Sequence, residues 1–221
     1  MSKTINFGET VAGYNTPVLN EREIRASAGL LFLVLFASIM QVHFEGDFLV
    51  LKYFVTVFFT DMIIRVFVNP IFSPSLILGR LIVGKQVPEY VGAPQKRFAW
   101  KIGLVLATLM FFSLVVINTH SFITVISCLA CLLFLFFETA FGICLGCIFY
   151  RWYYKEKAEY CPGEICDVKA KQEIQKISKT QIVIVLCFVV FVLSAILLFN
   201  DTFSTKPNDL WDVLTSMQSA K

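Results

Sequence analysis

The chain is poor in charge: only 16% of its 221 residues are Asp, Glu, Lys or Arg, while 57% are hydrophobic. That balance excludes the composition of an ordinary soluble domain. From 102 to 137 no acidic or basic residue appears in 36 positions. Histidine occurs twice, at His43 and His120. Both are expected at the membrane face opposite the clustered cysteines, too far away to complete a Cys-His site. No Ser-His-Asp set, phosphate loop or zinc-protease motif is present, no internal repeat emerges, and no segment is low in complexity. The opening MSKTINFGETVAGYNTPVLN lacks the basic start, apolar run and small-residue cleavage site of a signal peptide, so the mature chain is expected to begin there. Net charge is a small +3. Basic loops beside lipid read as orientation signals and anionic-lipid contacts, so no nucleic-acid partner is inferred. No cofactor is implied.

What the chain has instead is long apolar runs and phenylalanine, 23 of them. Residues 26–42 form an uncharged run of 17, just long enough to span if His43 and Phe44 sit at the boundary. Glu45-Gly46-Asp47 makes a polar turn, and 48–68 is a second span. From 69 to 97, four prolines and three glycines rule out one long helix, although 76–83 suits a short interfacial segment. The run from 102 to 137 is two spans joined at Asn118-Thr119-His120-Ser121. A fifth span covers 180–200, 21 residues without charge. The fold class is therefore an all-α polytopic membrane helix bundle with about five transmembrane helices.

Basic residues set the orientation. The tail to Arg25 carries three, the connection 69–101 five and the loop 151–179 seven, against none in the opposite turns and two in the last 21 residues. The expected organisation is a cytoplasmic tail (1–25) and a four-span core (26–149) with a cytoplasmic connection at 69–101. A cytoplasmic loop holding cysteines (150–179), a fifth span (180–200) and an external tail (201–221) follow, with Trp211 and Leu214 touching the interface.

Two groups of residues carry chemistry. Asp61, Arg65 and Glu138 are costly at membrane depth and so are candidates for substrate binding or an intramembrane ion pair. Asp61 and Arg65 stand i,i+4 and share a helix face. At 1.5 Å per residue all three lie within about 12 Å of one boundary, which suits two carboxylates around one guanidinium. Lys52, one turn into its span, is expected to snorkel outward. Glu138 shares a helix stripe with Gly142 and Leu145 rather than Cys144, so carboxylate activation of that thiol is not expected.

The second group is Cys144, Cys147, Cys161 and Cys166, four of seven cysteines within 23 residues at one boundary. Three readings compete. In the first, Cys144 and Cys147 merely pack, since Gly142-Ile-Cys-Leu-Gly146 is a small-xxx-small face; Cys128, Cys131 and Cys187, inside apolar runs, read as packing residues. In the second, the four are catalytic thiols, because cytosolic cysteine clusters are more often catalytic or metal-binding than structural disulfides. The objection is position: on one continuous helix, Cys144 and Cys147 sit at a C-terminal end, where the dipole disfavours thiolate. Arg151 and Lys155 can offset this, and Gly142 or Gly146 can break the helix. In the third and less favoured reading, Cys144, Cys147, Cys161 and Cys166 are four thiolate ligands of a metal.

The segments YVGAPQKRFAWKIG (90–103) and FGICLGC (141–147) resemble a family of small bacterial integral-membrane proteins catalogued as domain of unknown function 4395. Asn69-Pro70 with Ser73-Pro74, Leu78-Gly79-Arg80, and Glu138 ahead of Cys144-Leu-Gly-Cys147 extend the resemblance over the middle of the chain. The resemblance implies a multi-pass protein of the bacterial inner membrane. It also implies sulfur or thiol handling beside a thioredoxin-like or sulfurtransferase partner. On that basis the four clustered cysteines are expected to receive, relay or gate a sulfur species at the cytoplasmic face. The alternatives are a small transporter for a sulfur-containing anion with Arg65 as its contact, and a non-catalytic membrane scaffold.

Overall fold

A computed structural model describes residues 7–11, 17–154 and 176–210, with the side chains of Arg151, Tyr153 and Tyr154 excepted. Cys161, Cys166, Lys155 and the tail with Trp211 and Leu214 lie outside the described residues, as does the Arg151 side chain. Helices dominate. Asn20 accepts from Arg22 N, satisfying an otherwise orphaned donor, and α1 (Glu21–Glu45) starts there. It stops at Gly46, whose φ of 67° lets its N–H return to Val42 O. α2 (Leu49–Ile63) runs directly into a π-helical turn, Ile64–Val68. Ser73 then caps α3 (Pro74–Val83), with Pro74 in the first turn, where its missing N–H costs nothing.

α4 (Ala93–Phe111) and α5 (Phe122–Phe136) also end in π turns, Phe112–Val116 and Phe137–Phe141. α6 (Leu145–Tyr154) is a separate short helix, and α7 (Lys179–Ser204) opens on a Ser178/Gln181 capping box. β1 (Val18–Asn20) pairs antiparallel with β2 (Tyr90–Gly92); β3 (Thr119–His120) pairs parallel with β4 (Asn208–Asp209).

Four helical stretches are long and apolar enough to cross a membrane: Glu21–Glu45, Ala93–Val116, Phe122–Phe141 and Lys179–Ser204. α2 with its π turn supplies a fifth pass of about 30 Å. It carries Lys52, Asp61 and Arg65, and all three are buried against other helices. The two strand pairs mark the two ends of the bundle. The β1/β2 end gathers α3 and the starts of α1, α4 and α7; the β3/β4 end gathers the turn at Gly46 and the end of α7.

α1 and α4 begin earlier than their uncharged runs, at Glu21 and Ala93. Hydropathy ends a span at the first charges, but here Glu21, Glu23 and Lys96 are paired inside the protein, so the helices run through them. Lys52 also departs from expectation. Its Nζ donates to Thr205 O, 2.5 Å away at the end of α7, instead of reaching outward. A cation at a helix C-terminus meets carbonyls that lack helical partners.

The apolar centre is formed by α1, α2, α4 and α5 through Leu35, Val55, Phe58, Met110 and Cys128. Because lipid is as apolar as these side chains, close packing rather than burial from water must hold such helices together. Two glycines permit it. A Cβ at Gly79 would stand 2.4 Å from Glu23 O, so α3 lies directly on the α1 backbone. A Cβ at Gly146 would stand 2.4 Å from the Ala99 Cβ, so α6 is pressed against α4. α7 is exposed along most of its length, as a lipid-facing helix should be.

Candidate functional site

The β1/β2 end of the bundle holds three buried ion clusters. In the first, Arg65 Nε, in the π turn that follows α2, lies 2.8 Å from Asp61 Oδ2, four residues earlier on α2. Ser73 and Ser75, at the start of α3, donate to the same carboxylate at 2.7 and 2.6 Å, and Ser75 N adds a third bond at 3.1 Å. Arg65 Nη2 donates to Ser27 Oγ of α1 and to Ser75 Oγ. The guanidinium also stands 5.3 Å from the Trp100 ring of α4. One cation and one anion thus join α1, α2, α3 and α4, and both carboxylate oxygens are engaged.

In the second cluster the charges do not balance. Lys96 Nζ lies 2.5 Å from Glu138 Oε1 and 2.7 Å from Glu21 Oε2, the latter close without the alignment of a hydrogen bond. Two carboxylates share one ammonium. Arg25 is 3.6 Å from the other Glu21 oxygen, but it is half-exposed and is also 3.9 Å from Glu89. The expected arrangement of Asp61 and Glu138 about Arg65 is therefore corrected: Glu138 pairs with Lys96 on α4. The third cluster joins Arg80 to Glu23 at 3.1 Å and to Glu9 at 3.2 Å. Burial pushes the Glu9 carboxyl up from its ordinary range, and the Arg80 charge opposes that.

Cys144 and Cys147 stand beside the unbalanced cluster. The π turn Phe137–Phe141 ends at Gly142, left-handed at φ 64°, so the helix from α5 stops before the cysteines. A side chain at Gly142 would collide with the Arg25 guanidinium, which lies over it. Cys144 then opens α6: its carbonyl accepts from Cys147 N at 3.0 Å and Ile148 N at 3.1 Å, while its Sγ accepts from Cys147 N at 3.3 Å. The pair sits at a helix N-terminus. The placement expected from one continuous helix is reversed, and with it the objection from the helix dipole.

The same break changes what faces what. Glu138 and Cys144 both line a cavity of about 70 Å³, with Met62, Arg65, Trp100 and Cys131 among its other walls. The π turn and Gly142 rotate the chain away from a regular helix, which brings the carboxylate and the thiol into one space. The Cys144 thiol is pushed well above its ordinary range, first by its hydrogen bond with Cys147 and then by burial; Lys96 opposes both and Glu138 adds to them. At rest, Cys144 keeps its proton.

Cys131 reaches the cavity and Cys128 packs on Met110, Sγ to Sδ 3.3 Å. Cys187 is exposed on α7. His120 lies 3.7 Å from Asp209 at the other end of the bundle. Among the described residues no three His, Cys, Asp or Glu side chains are grouped as metal ligands.

Sequence reasoning missed Lys96, Glu21 and the serines at 27, 73 and 75. A signal for Lys96 was present. Lys96, Trp100, Ala107, Met110 and Leu114 recur at helical spacing, and all are buried. Lys96 therefore heads an inward stripe of α4 rather than belonging to a loop.

No curated protein and no solved structure matches the chain. A family model described as a domain of unknown function matches residues 19–155, from β1 past the end of α6. That span includes the Asp61/Arg65 and Lys96/Glu21/Glu138 clusters with Cys144 and Cys147, and leaves out Cys161, Cys166 and α7. The chain belongs to the family of domain of unknown function 4395.

Proposed function

We propose that this chain handles sulfur or thiol groups at one membrane face, with Cys144 and Cys147 as the exchanging pair. The observation that carries the reading is the Cys-x-x-Cys at the N-terminus of α6, half-buried beside Lys96 and sharing a cavity with Glu138. The reaction is thiol–disulfide exchange with a thioredoxin-like partner. One sulfur of the pair, as thiolate, attacks the partner disulfide, and the partner's leaving sulfur takes up a proton. The second sulfur then resolves the mixed disulfide. Cys144 and Cys147 end joined, the partner ends as two thiols, and two electrons and two protons have moved. Exchange with a persulfide on a sulfurtransferase would use the same first thiolate.

Lys96 and Glu138 are positioning residues in this scheme. The ammonium favours thiolate on Cys144, and Glu138 is a proton acceptor within the same cavity. Cys161 and Cys166 enter the reading on sequence grounds, as a second pair in the segment between α6 and α7. The count of basic residues supports a cytoplasmic position for this end, and the family resemblance supports a bacterial inner membrane. The rival reading, transport of a sulfur-containing anion on Arg65, is weakened because Nε and Nη2 of Arg65 are already bonded to Asp61 and to serines.

The test uses the purified full chain, reduced, in detergent. Mixed with an oxidised thioredoxin-like protein, it should yield a Cys144–Cys147 disulfide; Cys147→Ser, which keeps the attacking thiol and loses the resolving one, should trap a mixed disulfide, and Cys144→Ser should not. Unchanged cellular function in both variants would leave the scaffold reading. An impermeant thiol reagent applied to intact cells should leave Cys161 and Cys166 unlabelled; labelling would reverse the orientation.

A further inference from the structure

Most cations at the β1/β2 end are held by carboxylates, as Arg22, Arg25, Arg65, Arg80 and Lys96 show. Arg97 and Lys101 are not. Both are exposed on α4, one turn apart, and among the described residues neither has a carboxylate partner. Arg97 stands over the Phe7 ring, 4.8 Å from its centre, so its position is set by a ring and not by an anion. The two cations border an open groove of about 400 Å³ that also includes Pro94, Phe98 and Tyr150. Phe98 and Tyr150 meet edge to face at 5.5 Å and join α4 to α6 along the groove.

The same face of α4 continues into the membrane as an apolar ridge. Val105, Leu109 and Phe112 follow Lys101 at steps of three and four, and all are exposed. From Lys101 to Phe112 the ridge runs about 17 Å, close to half the hydrocarbon thickness of a bilayer. Charge lies at one end of the face, and a leaflet's depth of apolar surface lies below it.

We propose that this groove is a binding site for an anionic phospholipid, whose headgroup phosphate lies between Arg97 and Lys101 and whose acyl chains follow Val105, Leu109 and Phe112. A zwitterionic lipid carries its own ammonium and has no use for two cations. A soluble anion has no use for the ridge. The site faces away from the cavity shared by Glu138 and Cys144, so it stands or falls independently of the thiol reading.

Native mass spectrometry of the delipidated full chain provides the test, with phosphatidylglycerol and phosphatidylcholine of the same acyl chains as probes. The native chain should retain phosphatidylglycerol preferentially. Arg97→Gln with Lys101→Gln should bind it roughly thirtyfold more weakly. The charge-matched control, Lys85→Gln with Lys179→Gln, removes two exposed lysines outside the groove and should bind like the native chain. Should the first double variant fold poorly, Lys101→Gln alone should still lose roughly fivefold. Equal losses in both double variants would reduce the effect to general surface charge and overturn the site. So would equal retention of the two lipids by the native chain. Displacement of phosphatidylglycerol by inorganic phosphate would overturn it in favour of a soluble anion.

Discussion

Two buried ion clusters lie at the same end of this bundle, and they differ in closure. Around Asp61 and Arg65, one positive and one negative charge are matched, both carboxylate oxygens accept bonds, and the hydroxyls of Ser27, Ser73 and Ser75 complete the set. Around Lys96, two carboxylates compete for one ammonium, and a half-buried dithiol shares the space. A matched and saturated cluster has nothing left to offer a ligand; its work is to hold four helices in register. An unbalanced one can exchange a proton or favour a nearby thiolate at small structural cost. Two of the three intramembrane charges read from the sequence therefore belong to a saturated cluster, and the third lies beside the dithiol of the proposed exchange.

The widest gap between the clusters should appear on mutation. Arg65→Ala strands the buried Asp61 carboxylate and should cost about 3–5 kcal/mol, read as a loss of thermal stability in detergent. Asp61→Asn with Arg65→Gln removes both charges and should cost clearly less. A milder single variant would show that the pair does not lock the helices. Next in size is Gly146→Val, which forces α6 off Ala99 and should cost about 1–3 kcal/mol through overpacking. The same variant should move Cys144 away from Lys96, so its thiol chemistry should change more than its fold.

Smaller effects distinguish the charges around the dithiol. Around Cys144 stand Lys96 from α4, Glu138 from the π turn and Cys147 on its own helix, with Cys131 of α5 in the same cavity. Glu138 raises the Cys144 thiol and Lys96 lowers it. Glu138→Gln should therefore speed alkylation of Cys144 at pH 8 by about two- to tenfold, and Lys96→Gln should slow it by a similar factor. Changes of the same sign in both variants would deny the electrostatic link. Because the native thiol is raised above the ordinary 9.0, its labelling rate should still be climbing at about pH 10, where an ordinary thiol has levelled off. The sign for stability follows. The neutral form is the one favoured by folding, so this contribution is present at low pH and is lost as pH rises through the folded value. Least should happen at Glu9→Gln. Burial already penalises its charge and Arg80 keeps Glu23, so a change below about 1 kcal/mol in thermal stability is expected.

The sequence by itself determined the class of this protein and the family it belongs to. Long runs such as 102–137 cannot be solvated and cannot hide in a chain this size, so they dictate membrane-crossing helices before any contact is known. The spacing of Asp61 and Arg65 put both on one face of one helix, because that relation is local. What lay beyond it was nonlocal. Nothing near Lys96 in sequence names Glu21 or Glu138, 75 and 42 positions away, as its partners. Hydropathy left Glu21 and Lys96 outside the spans because it assumes that an unpaired charge needs water; only the assembled bundle supplied the pairing that lets α1 and α4 run through them. The break at Gly142 shows the same division. A glycine permits a left-handed residue, but whether the chain uses it depends on the fold around it; at Gly142 it does, at φ 64°, with the Arg25 guanidinium lying over the turn. That left-handed turn, more than the Cys-x-x-Cys spacing, puts Cys144 at the start of a helix instead of the end of one.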